Sequence, residues 1–503
     1  MATRVQNEKE RKILPKPAAQ QTSPVNDKDS GVQDTPDGTG TGTIYDQDLS
    51  EVTLPSLTGS DLDINWASPC SDFDSLLYSP ILFMHDIALD YSLVLVGDEY
   101  QALHHYQERF ISDRLLRTPR WSMLGCIFQS VYNIPMVMHF LIALSSMDLN
   151  QRSPCPVISP RVSKTHFRKG SEMLIQLMNL DTEPHHFSTL SAWFFLFLFM
   201  SHRDTLDKKA VNQLSLSVLN YIQRYNLDSL SAGTGSEEKS SAWHDPCLST
   251  EPGLIGRLLL FLASEDIGIG FEGCGGHLAK HLFGNDDLYR TIFSKQQYIL
   301  ERYWGQSYPE HEVMHDLETT AAIELGNKVG LLFHKVNELS KEVSEEATSP
   351  RDLDIEKGII EIETQYSSIL RMTRSSTAPR NPLQRTADAA VSNFYFVKLY
   401  YFRLTLSDSD CTQESPPHII FAMTNLMNIA HRAFSEQDAW GHEIFQLPLF
   451  MAGIETNDQI HVEWIISKMS RLRFRTALSR IISIQDQIGG RLSIARVRQT
   501  IGG

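Results

Sequence analysis

The chain has 503 residues, of which 42% are hydrophobic, and its formal net charge is −16. A chain of this length and composition can bury a substantial core, which excludes a wholly disordered protein. The negative charge argues against broad, non-specific contact with nucleic-acid phosphates, because such contact depends on lysine and arginine side chains that displace counterions.

Cysteine usage and hydropathy indicate the compartment. The six cysteines lie far apart and form no C-x-x-C pair, and no secretory leader is recognisable in the first 22 residues. These features favour a reduced, intracellular compartment. The longest apolar run, Leu190–Met200, is well short of the ~20 residues that a membrane-spanning helix needs. We therefore interpret this run as a core helix and expect no membrane partner.

Residues 1–79 are predicted to be a disordered, acidic N-terminal arm. They are rich in Gly, Ser, Thr, Pro, Asp and Gln and have no sustained helical or strand period. Between Tyr45 and Tyr78, acidic residues alternate with apolar ones such as Trp66 and Phe73, and no lysine or arginine intervenes. This composition is typical of an acidic activation segment, whose apolar side chains stay exposed until a partner groove buries them. A solvated linker with incidental apolar residues is the alternative.

Residues 80–503 are predicted to form one helical domain. The hydrophobic periodicity is helical almost throughout, strand alternation is scarce, and no repeat of fixed period indicates a solenoid. Two polar stretches, 229–249 and 341–354, are predicted to be loops. The expected fold is all-α, an irregular array of packed antiparallel helix pairs. The predicted helices are Ile81–Val96, Glu99–Ile111, Trp121–Phe128, Pro135–Leu149, Lys164–Asn179, Ser188–Phe199, Lys208–Tyr225, Leu254–Ala263, Asp287–Trp304, Leu317–Leu339, Ile359–Met372, Pro382–Leu406, Pro417–Glu436 and Asp458–Ile484.

The stretch Leu254–Phe283 is predicted to be a buried helical hairpin. Its apolar residues recur at the spacing of a helical face, and five glycines between Gly268 and Gly276 then break the helix before it resumes. The N–H groups of this turn form a candidate anion site, although no strand precedes it and no G-K-[ST] follows it. Asp266, on the apolar face, is predicted to be a paired core carboxylate and not a general base.

Together with three further runs, this hairpin resembles the regulatory domain of fungal-specific transcription factors. The runs are ALHHYQERF (Ala102–Phe110), WGQSYPEHE (Trp304–Glu312) and LPLFMAGIETNDQIHVEWIISKM (Leu447–Met469). The similarity spans roughly residues 80–500 and assigns these residues mainly to packing. It implies an all-helical regulatory, dimerisation or inhibitory domain, with a small-molecule inducer pocket between helices as an open option.

The N-terminus departs from that family's pattern. Members normally carry a six-cysteine binuclear zinc cluster, in which two metal ions share bridging thiolates within a short segment. Cys70 is the only cysteine before Cys126. We therefore predict no zinc-cluster DNA reader in this chain. The cluster was lost, lies on an upstream exon, or is replaced by a DNA-bound partner.

The resemblance implies a transcriptional regulator that acts in the nucleus and controls a metabolic or secondary-metabolite gene set. Its partners would be the transcription machinery or a DNA-bound regulator, with homo- or heterodimer formation left open. DNA would be reached only indirectly or through a missing upstream segment. We expect no enzyme activity, no cofactor and no bound metal. A non-transcriptional interaction scaffold is the first alternative.

The second alternative is a zinc hydrolase. Residues 311–315, HEVMH, match the H-E-x-x-H motif, which on a helix places two imidazoles on one face for zinc and a carboxylate beside the metal-bound water. His311, Glu312 and His315 are then the candidate site residues. Pro309 precedes the motif, so the first histidine and the glutamate fall in the first helical turn and not in the middle of a buried helix. We therefore interpret the match as fortuitous.

Two basic clusters are candidates for electrostatic contacts. The first, between Arg4 and Lys16, is either a nuclear-import signal or an ordinary charged tail. The second runs from Lys468 to Arg480 and interleaves with apolar residues. This spacing predicts an amphipathic helix whose basic face is solvated, in preference to one that binds DNA.

A tethering assay tests the acidic segment. Residues 45–78 fused to a foreign DNA-binding domain should activate a reporter gene, and activation should fall to background when Trp66 and Phe73 both become alanine, because the partner groove then loses its apolar anchors. A control that changes Ser60 and Ser71 to alanine should keep the signal. A reporter that stays silent with the unchanged segment supports the linker.

Overall fold

The computed structural model describes residues 95, 97–153, 155–180, 182–233, 250–342, 352–375, 381–405, 415–435 and 441–502. Within these ranges the ordered elements are helices and no β-strand occurs, which confirms the predicted all-α class. The helices are α1 (Gly97–His105), α2 (Ile111–Arg114), α3 (Met123–Val131), α4 (Pro135–Arg152), α5 (Pro160–Met178), α6 (His186–His202), α7 (Lys208–Arg224), α8 (Leu227–Ala232), α9 (Glu251–Gly270), α10 (His277–Phe283), α11 (Asp286–Gln296), α12 (Ile299–Trp304), α13 (Glu310–Glu342), α14 (Leu353–Gln365), α15 (Ser367–Ser375), α16 (Pro382–Thr405), α17 (Pro417–Ser435), α18 (Gln446–Glu455), α19 (Gln459–Lys468), α20 (Leu472–Ile488) and α21 (Ile494–Gly502).

Shorter elements connect several of these helices. A π-helical stretch, Tyr106–Phe110, joins α1 to α2, and 3-10 turns form at Pro119–Trp121, Gly305–Ser307 and His442–Phe445. The predictions for the arm at 1–79, its acidic and basic segments and nearly all of the helix Ile81–Val96 lie outside the described residues. They stay predictions.

Two hydrophobic cores form along the chain. The N-terminal core is built from α1 to α12, and its centre is α6, which is buried from Phe187 to His202. This burial confirms the interpretation of Leu190–Met200 as a core helix. The C-terminal core is built from α13 to α21 around α16. Phe333 on α13 packs against both cores. Among the described helices, none combines the length and apolarity required to cross a membrane.

The predicted hairpin forms, but its break is shorter than expected. Gly268 lies inside α9, which continues to Gly270, and the turn is confined to the residues between α9 and α10. Backbone φ angles of +81°, +67° and +85° at Gly273, Gly275 and Gly276 make this turn, a conformation that favours glycine. The prediction that Gly268 breaks the helix is therefore wrong, whereas Gly270 is the last residue of α9.

Asp266 closes the hairpin from inside the core. Its Oδ1 accepts the Gly276 N–H at 2.8 Å and its Oδ2 accepts the Ala279 N–H at 3.0 Å. The carboxylate is fully buried, and it satisfies two N–H groups at the start of α10 that have no partner within their own helix. The prediction of a paired core carboxylate is confirmed.

Several predicted helix boundaries are wrong. The predicted helix Asp287–Trp304 divides into α11 and α12 at Tyr298, whose φ of +59° is left-handed. The predicted helix Asp458–Ile484 divides into α19 and α20 where Met469 turns extended. The predicted loop 229–249 begins with helix α8. Hydrophobic periodicity runs through these interruptions because the apolar face continues on both sides of them.

Two arginines of the predicted basic face point inward, Arg473 buried and Arg471 half-buried, so the prediction of a solvated face from Lys468 to Arg480 is wrong for them. Arg473 donates to Glu272 Oε1 at 2.6 Å and to the backbone carbonyls of Ser201 and Arg203 at 3.0 and 2.8 Å. Arg471 donates to Glu443 at 2.5 Å. We call the contacts of Arg471 and Arg473 with Glu443 and Glu272 the seam, because they lie where the two cores meet.

Replacing Asp266 tests the closure of the hairpin. Asp266→Ala leaves two buried N–H groups without acceptors and should lower the free energy of unfolding by about 2 kcal/mol or more. Asp287→Ala, a change of an exposed carboxylate at the start of α11, should have little effect. Urea unfolding followed by circular dichroism compares the two variants. Equal stabilities would contradict the assigned role of Asp266.

Candidate functional site

The H-E-x-x-H match forms an ion-pair cluster. Glu312 is 2% exposed, and its Oε2 lies 3.2 Å from Arg117 Nη2, which also donates to Asp316 at 2.7 Å. His315 Nδ1 is 3.6 Å from the same carboxylate, whereas the His311 side chain is 72% exposed. Glu312 thus faces the interior while His311 faces solvent.

The charges around Glu312 stabilise its ionised form. Burial alone would raise its pKa, but hydrogen bonds with His315 and Thr118 and the charge of Arg117 lower the pKa to about 2. A general base needs a pKa much nearer to neutrality. Across the part of the chain that the structure describes, no group of three or more His, Cys, Asp or Glu side chains is arranged to hold a metal ion. The side chains of the motif thus form a cluster of ion pairs around Arg117 and Glu312.

The backbone N–H groups of the glycine turn are hydrogen-bonded to side chains of the chain itself. Gly275 N–H donates to Asn212 Oδ1 at 2.5 Å and His277 N–H donates to Ser215 Oγ at 3.1 Å, in addition to the Gly276 N–H on Asp266. These donors are therefore not directed at an anion. Cys274 is buried, and burial raises the pKa of its thiol to about 12, which disfavours the thiolate that a nucleophile needs.

The candidate site is a cavity of about 280 Å³ beside the seam. It lies between α9, α13, α16 and the start of α20, and the 3-10 turn His442–Phe445 closes one side. Ser264 is exposed at its edge, so the cavity opens to solvent there. Its volume is at the lower end of the ~300–1,000 Å³ usual for small-molecule pockets. The lining residues are Ser201, Ser264, Glu265, Ile267, Gly268, Ile269, Glu272, Gly326, Val329, Gly330, Phe333, Asn393, Val397, Glu443, Ile444, Gln446, Leu447, Arg471 and Phe474.

Three helical glycines make room for this cavity. Gly326 and Gly330 share one face of α13 because they are four residues apart, and Gly268 lines the cavity from α9. A Cβ added to Gly268 or Gly330 would meet nothing within 4 Å, and one added to Gly326 would meet only Ala390 at 3.9 Å. A helix-interior glycine costs about 1 kcal/mol relative to alanine. Glycine therefore occupies positions where an alanine side chain would fit. The space that such side chains would fill is part of the cavity.

Glu443 is the most strongly held carboxylate of the cavity wall. Arg471 Nε and Ser470 Oγ donate to it at 2.5 and 2.8 Å, and His202 Nε2 lies 3.4 Å away. Burial alone would raise the pKa of Glu443, but Arg471, His202 and Arg114 lower it well below its usual range. Glu443 is therefore ionised and neutralised by its own partners.

Two further carboxylates on or beside α9 face the same cavity. Glu272 pairs with Arg473 through one oxygen, while its Oε2 is buried and makes no hydrogen bond within the described residues. Glu265 makes neither a hydrogen bond nor an ion pair within those residues. Burial raises the pKa of both carboxyls. The charges of Arg114 and Arg471 oppose this rise at Glu265. The charges of Arg473 and Arg471 oppose it at Glu272.

No sequence pattern indicated this site. Its acidic members, Glu265, Glu272 and Glu443, are far apart along the chain, and no motif connects them. One signal was available: Gly326 and Gly330 lie four residues apart inside the predicted helix Leu317–Leu339 without ending it. A conspicuous pair of small residues on a helix face indicates close approach or open space.

Comparison with family models, with curated protein sequences and with solved structures finds no match to this chain. The resemblance to fungal regulators therefore rests on the sequence runs that carry it and stays a prediction. The site described above is assigned from its own geometry.

A substitution separates a structural role of Glu312 from a catalytic one. Glu312→Gln should lower the free energy of unfolding by about 1–3 kcal/mol at pH 7, because Arg117 loses a buried anion. The folded-state pKa is lowered from 4.5 to about 2, so this contribution is complete above pH 4.5 and is lost as the pH falls toward 2. The difference in the free energy of unfolding between the wild type and the variant should therefore become smaller below pH 4.5.

Glu310 is exposed and lies two residues before Glu312. Glu310→Gln is therefore the matched control and should leave the free energy of unfolding unchanged at either pH. Urea titrations at pH 7 and pH 4 measure the difference. Metal analysis of the purified wild type and of His311→Ala should detect no stoichiometric zinc in either protein. One zinc per chain that disappears in His311→Ala would restore the hydrolase interpretation.

Proposed function

We propose that the chain is a transcriptional regulator that acts in the nucleus through protein partners, and that its helical body is an effector domain which responds to occupancy of the cavity. The gene set would be metabolic or secondary-metabolic, as the resemblance to fungal regulators implies. DNA contact would come from a partner or from a segment outside this chain.

The position of the cavity between the two cores is the observation that carries the proposal. Ile267 and Ile269 of its lining belong to the N-terminal core, whereas Val329, Val397 and Phe474 belong to the C-terminal core. A molecule in the cavity would contact both cores at once. Its binding free energy would then depend on how the two cores are arranged, which is the requirement for coupling between a ligand and a distant surface.

The seam connects the cavity with both cores through direct contacts. Arg473 reaches from α20 to the carbonyls of Ser201 and Arg203 at the C-terminal end of α6 and to Glu272 after α9. Glu272 also lines the cavity. A ligand that contacts Glu272 would therefore contact a residue that joins the cores. Small changes at such a junction can be amplified, because packed cores adopt discrete arrangements instead of deforming continuously.

The runs that carry the resemblance support the proposal in a weaker way. Phe445, Leu449 and Phe450 are fully buried around α18, and α19 follows α18 after a short connection. Burial of these residues is compatible with the packing roles that the resemblance implies. An interaction scaffold without a transcriptional role would use the same packing, so a functional assay has to separate the two.

A tethered reporter provides that assay. The full chain fused to a foreign DNA-binding domain should change reporter output, and Gly330→Leu should shift that output by about fivefold, because the leucine fills the cavity and favours one arrangement of the cores. Gly97→Leu is the matched control, since Gly97 also has open space around its Cα but is exposed at the start of α1. Nuclear abundance is measured in parallel.

Output equal to that of the DNA-binding domain alone, for the wild type and both variants at equal nuclear abundance, would contradict a transcriptional role and support the scaffold. Equal effects of Gly330→Leu and Gly97→Leu would contradict the role of the cavity.

A further inference from the structure

The ionised groups around the cavity balance in number. Three carboxylates of its lining lie close to three guanidinium groups. The six residues are Glu265, Glu272, Glu443, Arg114, Arg471 and Arg473. His202 adds no charge at neutral pH, because burial and the charges of Arg471 and Arg114 lower its pKa to about 3. A ligand with a net charge would leave that charge uncompensated, whereas a ligand without net charge preserves the balance.

Two oppositely charged members of the lining keep free hydrogen-bonding groups. Arg471 donates to Glu443 through Nε at 2.5 Å, and its Nη1 and Nη2 groups make no hydrogen bond within the described residues. Glu265 accepts none at either oxygen within the same residues. Both residues line the cavity and are only half-buried. A molecule in the cavity can therefore reach a free acceptor and free donors.

Glu265 and Arg471 lie close enough to attract each other, but they do not pair. Burial would lower the pKa of Arg471, and the charges of Glu443 and Glu265 raise it. The only ion pair that Arg471 forms within the described residues is with Glu443. We call Glu265 and Arg471 the open pair. A ligand that bridges the open pair needs a donor at one end and an acceptor at the other.

The rest of the wall is apolar. Phe333 and Phe474 present aromatic surface, Val329 and Val397 present aliphatic surface, and a Cβ added to Gly330 would meet nothing within 4 Å. Such a wall accommodates an apolar side chain, while the polar groups determine the orientation of the ligand.

We propose that the cavity binds an amino acid with an apolar side chain, in its zwitterionic form. The ammonium group binds Glu265, the carboxylate binds Arg471, and the side chain packs against Phe333 and Phe474. This inference rests on the proposed function, because it names the class of ligand to which the effector domain responds.

The zwitterion matches the charges and the free groups together. It adds no net charge, and each of its charged ends makes charge-assisted hydrogen bonds, which are about twice as strong as those between neutral groups. The guanidinium of Arg471 suits a carboxylate because two of its N–H groups can bind both oxygens. The ammonium group also favours the ionised form of Glu265 and so opposes the effect of burial on that carboxyl.

Other ligand classes fit less well. A simple ammonium ion would leave the Nη groups of Arg471 unbonded and add an uncompensated positive charge, and a simple carboxylate would do the converse at Glu265. A neutral amide could bridge the open pair only with weaker hydrogen bonds. A bare metal ion would need several converging ligands, and the part of the chain that the structure describes contains no such group.

Calorimetric titration of the full chain at pH 7 tests the proposal with matched probes. Phenylalanine and leucine are the zwitterions. Phenethylammonium is phenylalanine without its carboxylate, and 3-phenylpropanoate is phenylalanine without its ammonium group. We expect saturable binding of at least one amino acid with a Kd below about 1 mM, and binding at least about tenfold weaker for the cation and for the anion.

Variants assign the binding to the open pair. Glu265→Gln removes the anion that holds the ammonium group. Arg471→Lys keeps a positive charge for Glu443 but removes the two Nη groups. Each change should weaken amino-acid binding by at least about tenfold, and Gly330→Leu should abolish it because the leucine fills the cavity.

Glu301→Gln on α12 and Arg480→Lys on α20 are the matched controls, since both side chains are exposed, and they should bind like the wild type. Thermal unfolding followed by circular dichroism checks every variant. Cooperative unfolding above the temperature of the titration shows that a variant which does not bind is still folded.

Three results would overturn the proposal: no saturable binding of either amino acid with a Kd below about 1 mM, a cation or an anion that binds as tightly as the zwitterion, or unchanged binding by Glu265→Gln or Arg471→Lys. The regulatory role fails separately. If the Gly330→Leu reporter effect persists while the amino acids do not bind, only the ligand class is wrong; if the amino acids bind and the reporter is silent, only the transcriptional role is wrong.

Discussion

The buried ion pair between Arg473 and Glu272 is the constraint on which the arrangement of the two cores depends. Arg473 also donates to two backbone carbonyls at the C-terminal end of α6. A single guanidinium therefore satisfies acceptors beside the N-terminal core, while its own helix packs in the C-terminal core. Removing water from two charges is costly, and only good geometry with further hydrogen bonds compensates for it. Such a pair disfavours alternative placements of α20, because any displacement leaves a buried charge without its partner.

A charged junction also explains why the cores do not merge into one. Apolar side chains pack densely on either side, but carboxylates and guanidinium groups need polar neighbours and cannot be covered by aliphatic side chains alone. The glycines on α13 add space at the same place. The outcome is a pocket lined by three carboxylates, Glu265, Glu272 and Glu443, between the two cores. Glu272, Glu443 and Arg471 thus belong both to the cavity lining and to the seam.

Local features were predictable from the sequence, and long-range ones were not. Helices such as α4, α16 and α17 begin at the predicted residues because Pro135, Pro382 and Pro417 open clear apolar periods. The seam could not be predicted, since Arg473 is 201 residues from Glu272 and a basic amphipathic helix is usually solvated. The cavity could not be predicted either, because its lining residues come from helices whose packing no local sequence pattern encodes.

The most direct measurement of the central claim is a double-mutant cycle on Glu272→Gln and Arg473→Met, with free energies of unfolding from urea titration. If the seam joins the two cores, each single change should cost about 3–5 kcal/mol, and the double variant should lose less than the sum by at least about 1 kcal/mol. Single changes that cost less than about 0.5 kcal/mol and add without coupling would contradict the account.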